Sequence, residues 1–200
     1  MNKHDLLYNL PDIAIINDET WPDYKLKTWI PDKTYIILGQ SNSIENSIHR
    51  EHVNEDKVCI LKRPSGGEAV ILTPKTLVIS SRIASEKLEN PVIYFNTANR
   101  KIIQILEKSG VRQLAQKGIS DIAIGDKKIV GSSIYRKNNL VFFHAVLNVA
   151  EDTLLMERYL SHPKKEPDYR MGRNHSQFVT SLLQAGYPFE INTLAKYVEE

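Results

Sequence analysis

Apolar positions in this chain fall mostly into short alternating or continuous runs, and only a few stretches carry helical spacing. The period-two and continuous runs predict strands near 12–17, 34–39, 57–62, 68–72, 76–82, 120–124, 128–136 and 140–149. Asn42 or Ser43 is placed to cap a short helix through His49, with Ile44 and Ile48 one turn apart. A clearer helix over 97–109 gathers Ile102, Ile103 and Leu106 on one face and stops at Gly110. Helices are also predicted over 151–160 and 174–185, the second buried through Phe178, Leu182 and Leu183 and ended by Gly186. The last stretch, 193–200, reads as a frayed helix. Strands interleaved with hairpins and helices, without strict strand-helix alternation, imply an α+β fold: a mixed, largely antiparallel sheet with flanking helices.

Two hundred residues, 42% of them apolar, suffice for one core, so residues 1–200 are expected to form a single domain. The net charge of +2 is spread among interspersed acidic and basic residues, which argues against nucleic acid as a partner. That small excess still suits docking of an acidic carrier domain. Met1 to Tyr8 contain no hydrophobic signal core, and no apolar run reaches about eighteen residues, so no membrane segment is expected. Cys59 is the single cysteine, so an internal disulfide is impossible and a reducing cytoplasm fits.

Two segments carry candidate chemistry. Lys62-Arg-Pro-Ser-Gly-Gly-Glu-Ala-Val-Ile-Leu72 places a diglycine between strand-like residues, where the backbone can turn sharply and present N–H groups to a ligand. Taken alone, Ser65-Gly66-Gly67 reads as a tight hairpin. The second segment, Ser120 to Tyr135, holds two alternating strands meeting at Gly125-Asp126. Strict alternation puts Lys128, Val130 and Ser132 on one face and Lys127, Ile129 and Gly131 on the other. One of Lys127 and Lys128 is then an edge charge, and the other points inward beside Gly131, Ser132 and Ser133.

Together these residues resemble the lipoate-protein ligase A branch of the biotin/lipoate protein ligase family, over most of the chain. Ile36-Ile-Leu-Gly-Gln-Ser-Asn42 is similar to its strand ending in Gly-x-x-Asn, and Lys62 to Val70 to its Arg-Arg-x-Ser-Gly-Gly-Gly-Ala-Val loop. Gly118-Ile-Ser-Asp121 stands for Gly-x-Asn-Asp, Lys128-Ile-Val-Gly-Ser-Ser133 for Lys-x-x-Gly-Ser-Ala, and Phe143-His-Ala-Val-Leu147 for the His-His-Gly-Thr-Leu strand. Lys165 to His175 resembles the segment after the core in compact members that lack the C-terminal accessory domain.

The resemblance implies the catalytic-domain fold of that family, class II synthetase-like, and a two-step reaction. Lipoate or octanoate attacks ATP to give an acyl-adenylate, which a lysine of a lipoyl carrier domain then captures. The carriers implied are those of 2-oxoacid dehydrogenase complexes or the glycine cleavage H protein, with a separate accessory subunit as one arrangement. Lys128 matches the catalytic lysine. Lys62, Arg63, Ser65, Gly66, Gly67, Glu68, Ala69, Val70, Asp121 and Lys128 are implied to hold ATP or the adenylate; Gly66, Gly67, Lys128, Gly131, Ser132, Ser133 and His144 to hold lipoate. Mg²⁺ travels with the pyrophosphate, with Asp121 as its one candidate ligand.

The chain departs from the pattern at four points. Glu68 replaces the third glycine, placing a carboxylate where polyphosphate should lie unless Lys62 or Arg63 pairs with it. Lys62 replaces the first arginine, leaving Arg63 to carry the bidentate clamp. Leu72 stands at the usual histidine, and Ser120 before Asp121 where asparagine is usual. These changes motivate one alternative, a non-catalytic relative that binds adenylate or carrier. A second is an ATP-independent octanoyl or lipoyl transferase, with His144 or His162 as base. The segments where such transferases carry their cysteine read Lys117 to Ser120 and Ser161 to Lys164, without sulfur, and Cys59 lies in the apolar run Val58 to Leu61, where a thiol is an inert packing group.

Among the other polar and aromatic residues, Tyr169, Arg170, Arg173 and His175 form a cluster that braces the following helix or approaches the acyl channel. His49 and His52 read as surface. Trp21 and Trp29 read as packing, with either one a candidate wall of the acyl tunnel.

Overall fold

The computed structural model describes residues 6–85, 87 and 89–200; the reading of the first five residues lies outside them. The described elements run β1 (Lys27–Trp29), β2 (Tyr35–Leu38), α1 (Ile44–Ser47), α2 (Arg50–Glu55), β3 (Cys59–Lys62), β4 (Val70–Leu72), β5 (Thr76–Ala84), α3 (Pro91–Lys108), β6 (Leu114–Lys117), β7 (Asp121–Ile124), β8 (Lys127–Lys137), β9 (Leu140–Asn148), α4 (Leu154–Tyr159), α5 (His175–Phe178) and α6 (Ile191–Glu199). They build two sheets. A six-stranded sheet has the order β1-β5-β9-β8-β7-β6, antiparallel throughout, and a three-stranded sheet has the order β3-β2-β4. In the small sheet β2 runs parallel to β3 and antiparallel to β4.

The large sheet buries one face under α3 and α6, where Leu77, Ile79, Phe143, Ala145, Leu147, Ile122 and Val130 meet Phe95, Ile102, Leu106, Leu194 and Val198. Its other face meets the small sheet through Val78 and Val146, which pack with Tyr35, Ile37, Leu61, Val70, Leu72 and Trp29. The far side of the small sheet is closed by Ile48, Val53, Tyr159 and Leu160 from α1, α2 and α4. Polar groups on the second face of the large sheet therefore lie between two layers, and this position defines the site.

Several expectations give way to tertiary structure. Residues 12–17 are not a strand: Pro11 starts a 3₁₀ helix, Pro11–Ile16, and Tyr8 donates to Asp12 one turn on. The helix expected over 174–185 stops at Phe178, because Val179 bridges to Lys128 and the Thr180 N–H donates to the Lys128 carbonyl. A packed strand edge here outweighs the apolar spacing. α3 begins at Pro91, earlier than the periodicity indicates, with Asn90 accepting from the Val92 N–H as its cap. The closing helix is not frayed: Glu190 caps α6, Leu194 and Val198 are buried, and Glu199 accepts from Thr28. β1 and β6, short and half-buried, carry too few residues for a readable period. No helix among the described residues is long and apolar enough to cross a membrane.

Candidate active site

The diglycine is not a hairpin. β3 and β4 never pair; they lie on opposite sides of β2, so the chain from Lys62 to Val70 crosses over the end of that strand. The Arg63 N–H donates to the Leu38 carbonyl at 3.0 Å, and the Gln40 N–H to the Ser65 carbonyl at 2.9 Å, extending the parallel pairing into the loop. Gly67 takes φ +85, a conformation few side chains tolerate. Gly39 faces it so closely that a Cβ would lie 1.9 Å from the Gly67 carbonyl oxygen, so only glycine fits there.

Arg63 organises this loop from within. It is 5% exposed. Its guanidinium donates to Ser65 Oγ (3.0 Å) and to the carbonyls of Ile37 (3.1 Å), Gly66 (2.7 Å) and Glu68 (2.9 Å). Four of its five N–H groups are thereby committed, so Arg63 is a brace and not the phosphate clamp expected of it. Burial lowers its pKa to about 10, which leaves it cationic at neutral pH. Ser133 Oγ also donates to the Gly66 carbonyl, at 2.8 Å. With these carbonyls turned inward, the N–H groups of Gly66 and Gly67 have no acceptor among the described residues, and both glycines are exposed. Free amides on an exposed turn are an anion-binding feature.

Lys128 reaches the same face by a break in alternation. The β7–β8 pairing slips between Ile122 and Ala123, so Ala123 opposes Lys128 while Ile122 opposes Val130, and Ile129 is the extra residue of a bulge. That slip moves Lys128 onto the face of Gly131 and Asp121, opposite to what strict alternation dictates. Lys128 Nζ donates to Asp121 Oδ1 at 2.8 Å, with the lysine side chain 27% and the aspartate side chain 6% exposed. The aliphatic end of Lys128 lies over Gly131, where a Cβ would come within 2.7 Å of Cε and Nζ. Ser133, which holds the glycine loop, follows Gly131 by two residues on this face, about 7 Å away. The ammonium and the diglycine thus converge. Ser132 faces the other way, donating to the Ser120 carbonyl at 2.6 Å on the α3 side.

Beneath the loop runs a buried polar chain. Ser65 Oγ and His144 Nε2 are 2.5 Å apart, and His144 Nδ1 lies 3.5 Å from Asp12 Oδ2. Tyr8 donates to Asp12 at 2.9 and 3.0 Å, and Ser80 donates to it at 3.3 Å. Burial lowers the His144 pKa, outweighing its bond to Asp12, so the imidazole is neutral. Burial and the Asp12 carboxylate push the Tyr8 pKa upward.

The segment after α4 straps the site. Tyr169 donates to Asp121 Oδ2 at 2.9 Å. Arg173 bonds Asp126 at 2.9 Å on the β7–β8 turn, and both Arg170 and Arg173 stack over Phe178. The Glu68 carboxylate accepts from Asn42 Nδ2 (3.3 Å) and from the Lys165 N–H (3.3 Å), so it pairs with neither Lys62 nor Arg63. Lys62 Nζ instead donates to the Asn42 carbonyl at 2.9 Å. His162 pairs with Glu166 at 3.0 Å. His175, beside Arg170, His162 and Lys128, is lowered to about 4, chiefly by burial.

Of the expected residues, Gly66, Gly67, Lys128, Gly131, Ser133 and Asp121 share one site. Ser65 and His144 support it from below, Glu68 ties it to the strap, and Ala69 and Val70 turn into the packing of the small sheet. Asp12 and Tyr8 were not anticipated, whereas Gly39 is the glycine of the Gly-x-x-Asn strand end. Nothing local in the sequence marks Asp12, because its role depends on a contact with β9. No group of three His, Cys, Asp or Glu among the described residues could hold a metal. Asp121 is tied to Lys128 and Tyr169 and stands in no cluster of ligating side chains among the described residues, so these residues do not form a protein-held Mg²⁺ site.

The chain is similar to known proteins in sequence and in fold. A probable lipoate-protein ligase A of Mycoplasma pneumoniae is 27% identical over 129 residues, 64% of this chain and 38% of the relative. An inactive lipoate–protein ligase 2 of Plasmodium falciparum is 24% identical over 184 residues, 76% of this chain and 48% of the relative. The chain therefore spans less than half the length of these curated relatives. Among solved structures, a bi-partite lipoate protein ligase from Thermoplasma acidophilum, described with its E2 lipoyl domain, superposes with TM-score 0.77 at 18% identity, over 94% of this chain and 73% of that one. A lipoate-protein ligase A bound with ATP gives 0.76 at 19% identity, over 94% and 74%. The lipoyl protein ligase A/B catalytic domain matches residues 20–200, and the chain belongs to that family.

Proposed function

We propose that this chain is the catalytic domain of an ATP-dependent lipoate-protein ligase. The observation that carries the reading is the convergence on one face of the Lys128 ammonium with the amides of Gly66 and Gly67, which have no acceptor among the described residues. In the first step a carboxylate oxygen of lipoate or octanoate bonds to the α-phosphorus of ATP and pyrophosphate leaves. In the second a lysine amine of the carrier bonds to the acyl carbon, loses a proton, and AMP leaves. Carboxylate and triphosphate repel, so the first step needs a cation between them and donors on the phosphate. Lys128 supplies the cation, aimed by Asp121, while the glycine amides supply donors already oriented before the ligand arrives. One contact of this kind at about 4 Å and an effective dielectric of about 20 is worth about 4 kcal/mol before desolvation.

The ATP-bound relative supports nucleotide as co-substrate, and the relative studied with its E2 lipoyl domain supports a lipoyl carrier as acceptor. Its bi-partite make-up also supports a separate accessory subunit. No step is assigned to a metal held by protein side chains. The apolar layer between the sheets, with Trp29, Leu72 and Val146, suits an acyl chain beside the loop. Cys59 packs into that same layer, which favours adenylate chemistry over a thioester.

Purified protein incubated with labelled ATP and lipoate, with and without apo carrier domain, tests this reading. Acyl-adenylate formed without carrier supports it. No adenylate under any condition would leave a binding protein, and acyl transfer without ATP would identify a transferase.

A further inference from the structure

We propose that Asp12 and His144 are positioning residues that fix the Ser65-Gly66-Gly67 loop, acting through one committed direction of hydrogen bonding. Asp12 is fully buried and, as a carboxylate, only accepts; Tyr8 and Ser80 already donate to it. The ring nitrogen facing it from β9 at 3.5 Å is stabilised there only as a donor, and this contact favours the His144 proton on Nδ1 with Nε2 left an acceptor. The Ser65 hydroxyl at 2.5 Å then donates to Nε2, and its lone pairs are left to accept from Arg63 Nε at 3.0 Å. Each link determines the next, from the first helical turn to the loop.

The order Ser65, His144, Asp12 matches that of a hydrolytic triad, yet the geometry rejects nucleophilic use. Ser65 is 1% exposed beneath the loop and one of its two lone pairs already accepts from Arg63, so an acyl carbon has no path to Oγ. What the chain of bonds does is hold Ser65 and Arg63, and Arg63 in turn holds the Gly66 and Glu68 carbonyls inward. The amides of Gly66 and Gly67 face outward as a result. The consequence is specific: this device serves an anion at the loop, and it reaches the apolar layer only through Tyr8, while Trp29, Leu72 and Val146 take no part in it. It rests on the ligase reading only for the identity of that anion, the ATP phosphates.

The test is Asp12→Asn, whose amide can donate to Nδ1 and reverse the tautomer, together with His144→Gln, whose oxygen can still accept from Ser65, and His144→Ala, which cannot. Nitrogen-15 NMR of the wild-type protein should show His144 with its proton on Nδ1, and Asp12→Asn should shift the Gly66 and Gly67 amide signals. ATP affinity should fall at least tenfold in Asp12→Asn and His144→Ala, lipoate affinity should stay within twofold, and His144→Gln should recover most of the loss. An Nε2–H tautomer in the wild-type protein, unmoved glycine amides, or equal weakening of both ligands would overturn the proposal. A wild-type protein that binds no ATP would instead sink the ligase reading, with the NMR comparison still deciding the role of Asp12.

Discussion

Lys128 Nζ lies 2.8 Å from Asp121 Oδ1, and Tyr169 holds the other oxygen of that carboxylate at 2.9 Å. The ammonium is thus directed by an acid that is itself restrained, and within the ion pair it is the lysine side chain that keeps part of its surface open. This division suits a cation that must meet an incoming anion without wandering. Replacing Tyr169 by Phe frees one Asp121 oxygen while the ion pair remains; turnover should fall several-fold in steady-state assays, with lysine-dependent activity retained.

Gly131 should separate stability from activity. A Cβ there meets the far end of a flexible lysine at 2.7 Å, so Gly131→Ala displaces the ammonium while the strand pairing to Asp121 and Val146 stays. Adenylate formation should drop at least tenfold, with a melting temperature near that of the wild-type protein. A full-rate Gly131→Ala enzyme would show that the placement of Lys128 above this residue is incidental.

Glu68 carries a charge toward the loop but also a tether to the strap through Asn42 and the Lys165 N–H. Glu68→Gln removes the charge and keeps an acceptor for that N–H. ATP should bind a few-fold tighter by calorimetry. An unchanged dissociation constant would mean that the carboxylate is neutralised where it stands.

Acid should destabilise the fold in a definable window. His175 is lowered from 6.5 to about 4 by burial and by Arg170, His162 and Lys128, with Glu157 opposing; burial lowers His144 as well. Below about pH 6.5 the unfolded chain takes up protons that the folded chain refuses. This contribution to stability is therefore fully present above pH 6.5 and is lost as pH falls toward 4. Melting temperatures should decline through that interval, and His175→Gln should make the decline shallower.

Much of the architecture is legible from local pattern, because β5, β8 and β9 are long enough for period two to show and their turns are marked by Gly125-Asp126 and Asn138-Asn139. Lys128, Asp121, Gly66 and Gly67 are legible because each lies within a short contiguous motif, although the two motifs stand far apart in the chain. The faces are another matter. A one-residue bulge at Ile129 exchanges the side on which Lys128 lies, and no sequence periodicity reveals an inserted residue. Arg63 looks like a phosphate ligand until its partners are counted, since a buried brace and an exposed clamp use the same residue type. Asp12 escapes notice because its meaning arises only when the first turn packs against β9, and Val179 leaves its helix for a bridge to Lys128 for the same non-local reason.

The central claim is that the Lys128 charge drives activation of the acyl group. Its direct test is single-turnover acyl-adenylate formation from ATP and lipoate by the wild-type protein and by Lys128→Ala, with circular dichroism confirming that both are folded. A contact worth about 4 kcal/mol corresponds to a loss of about a thousandfold in the variant. Adenylate formed by folded Lys128→Ala at the wild-type rate would contradict the account.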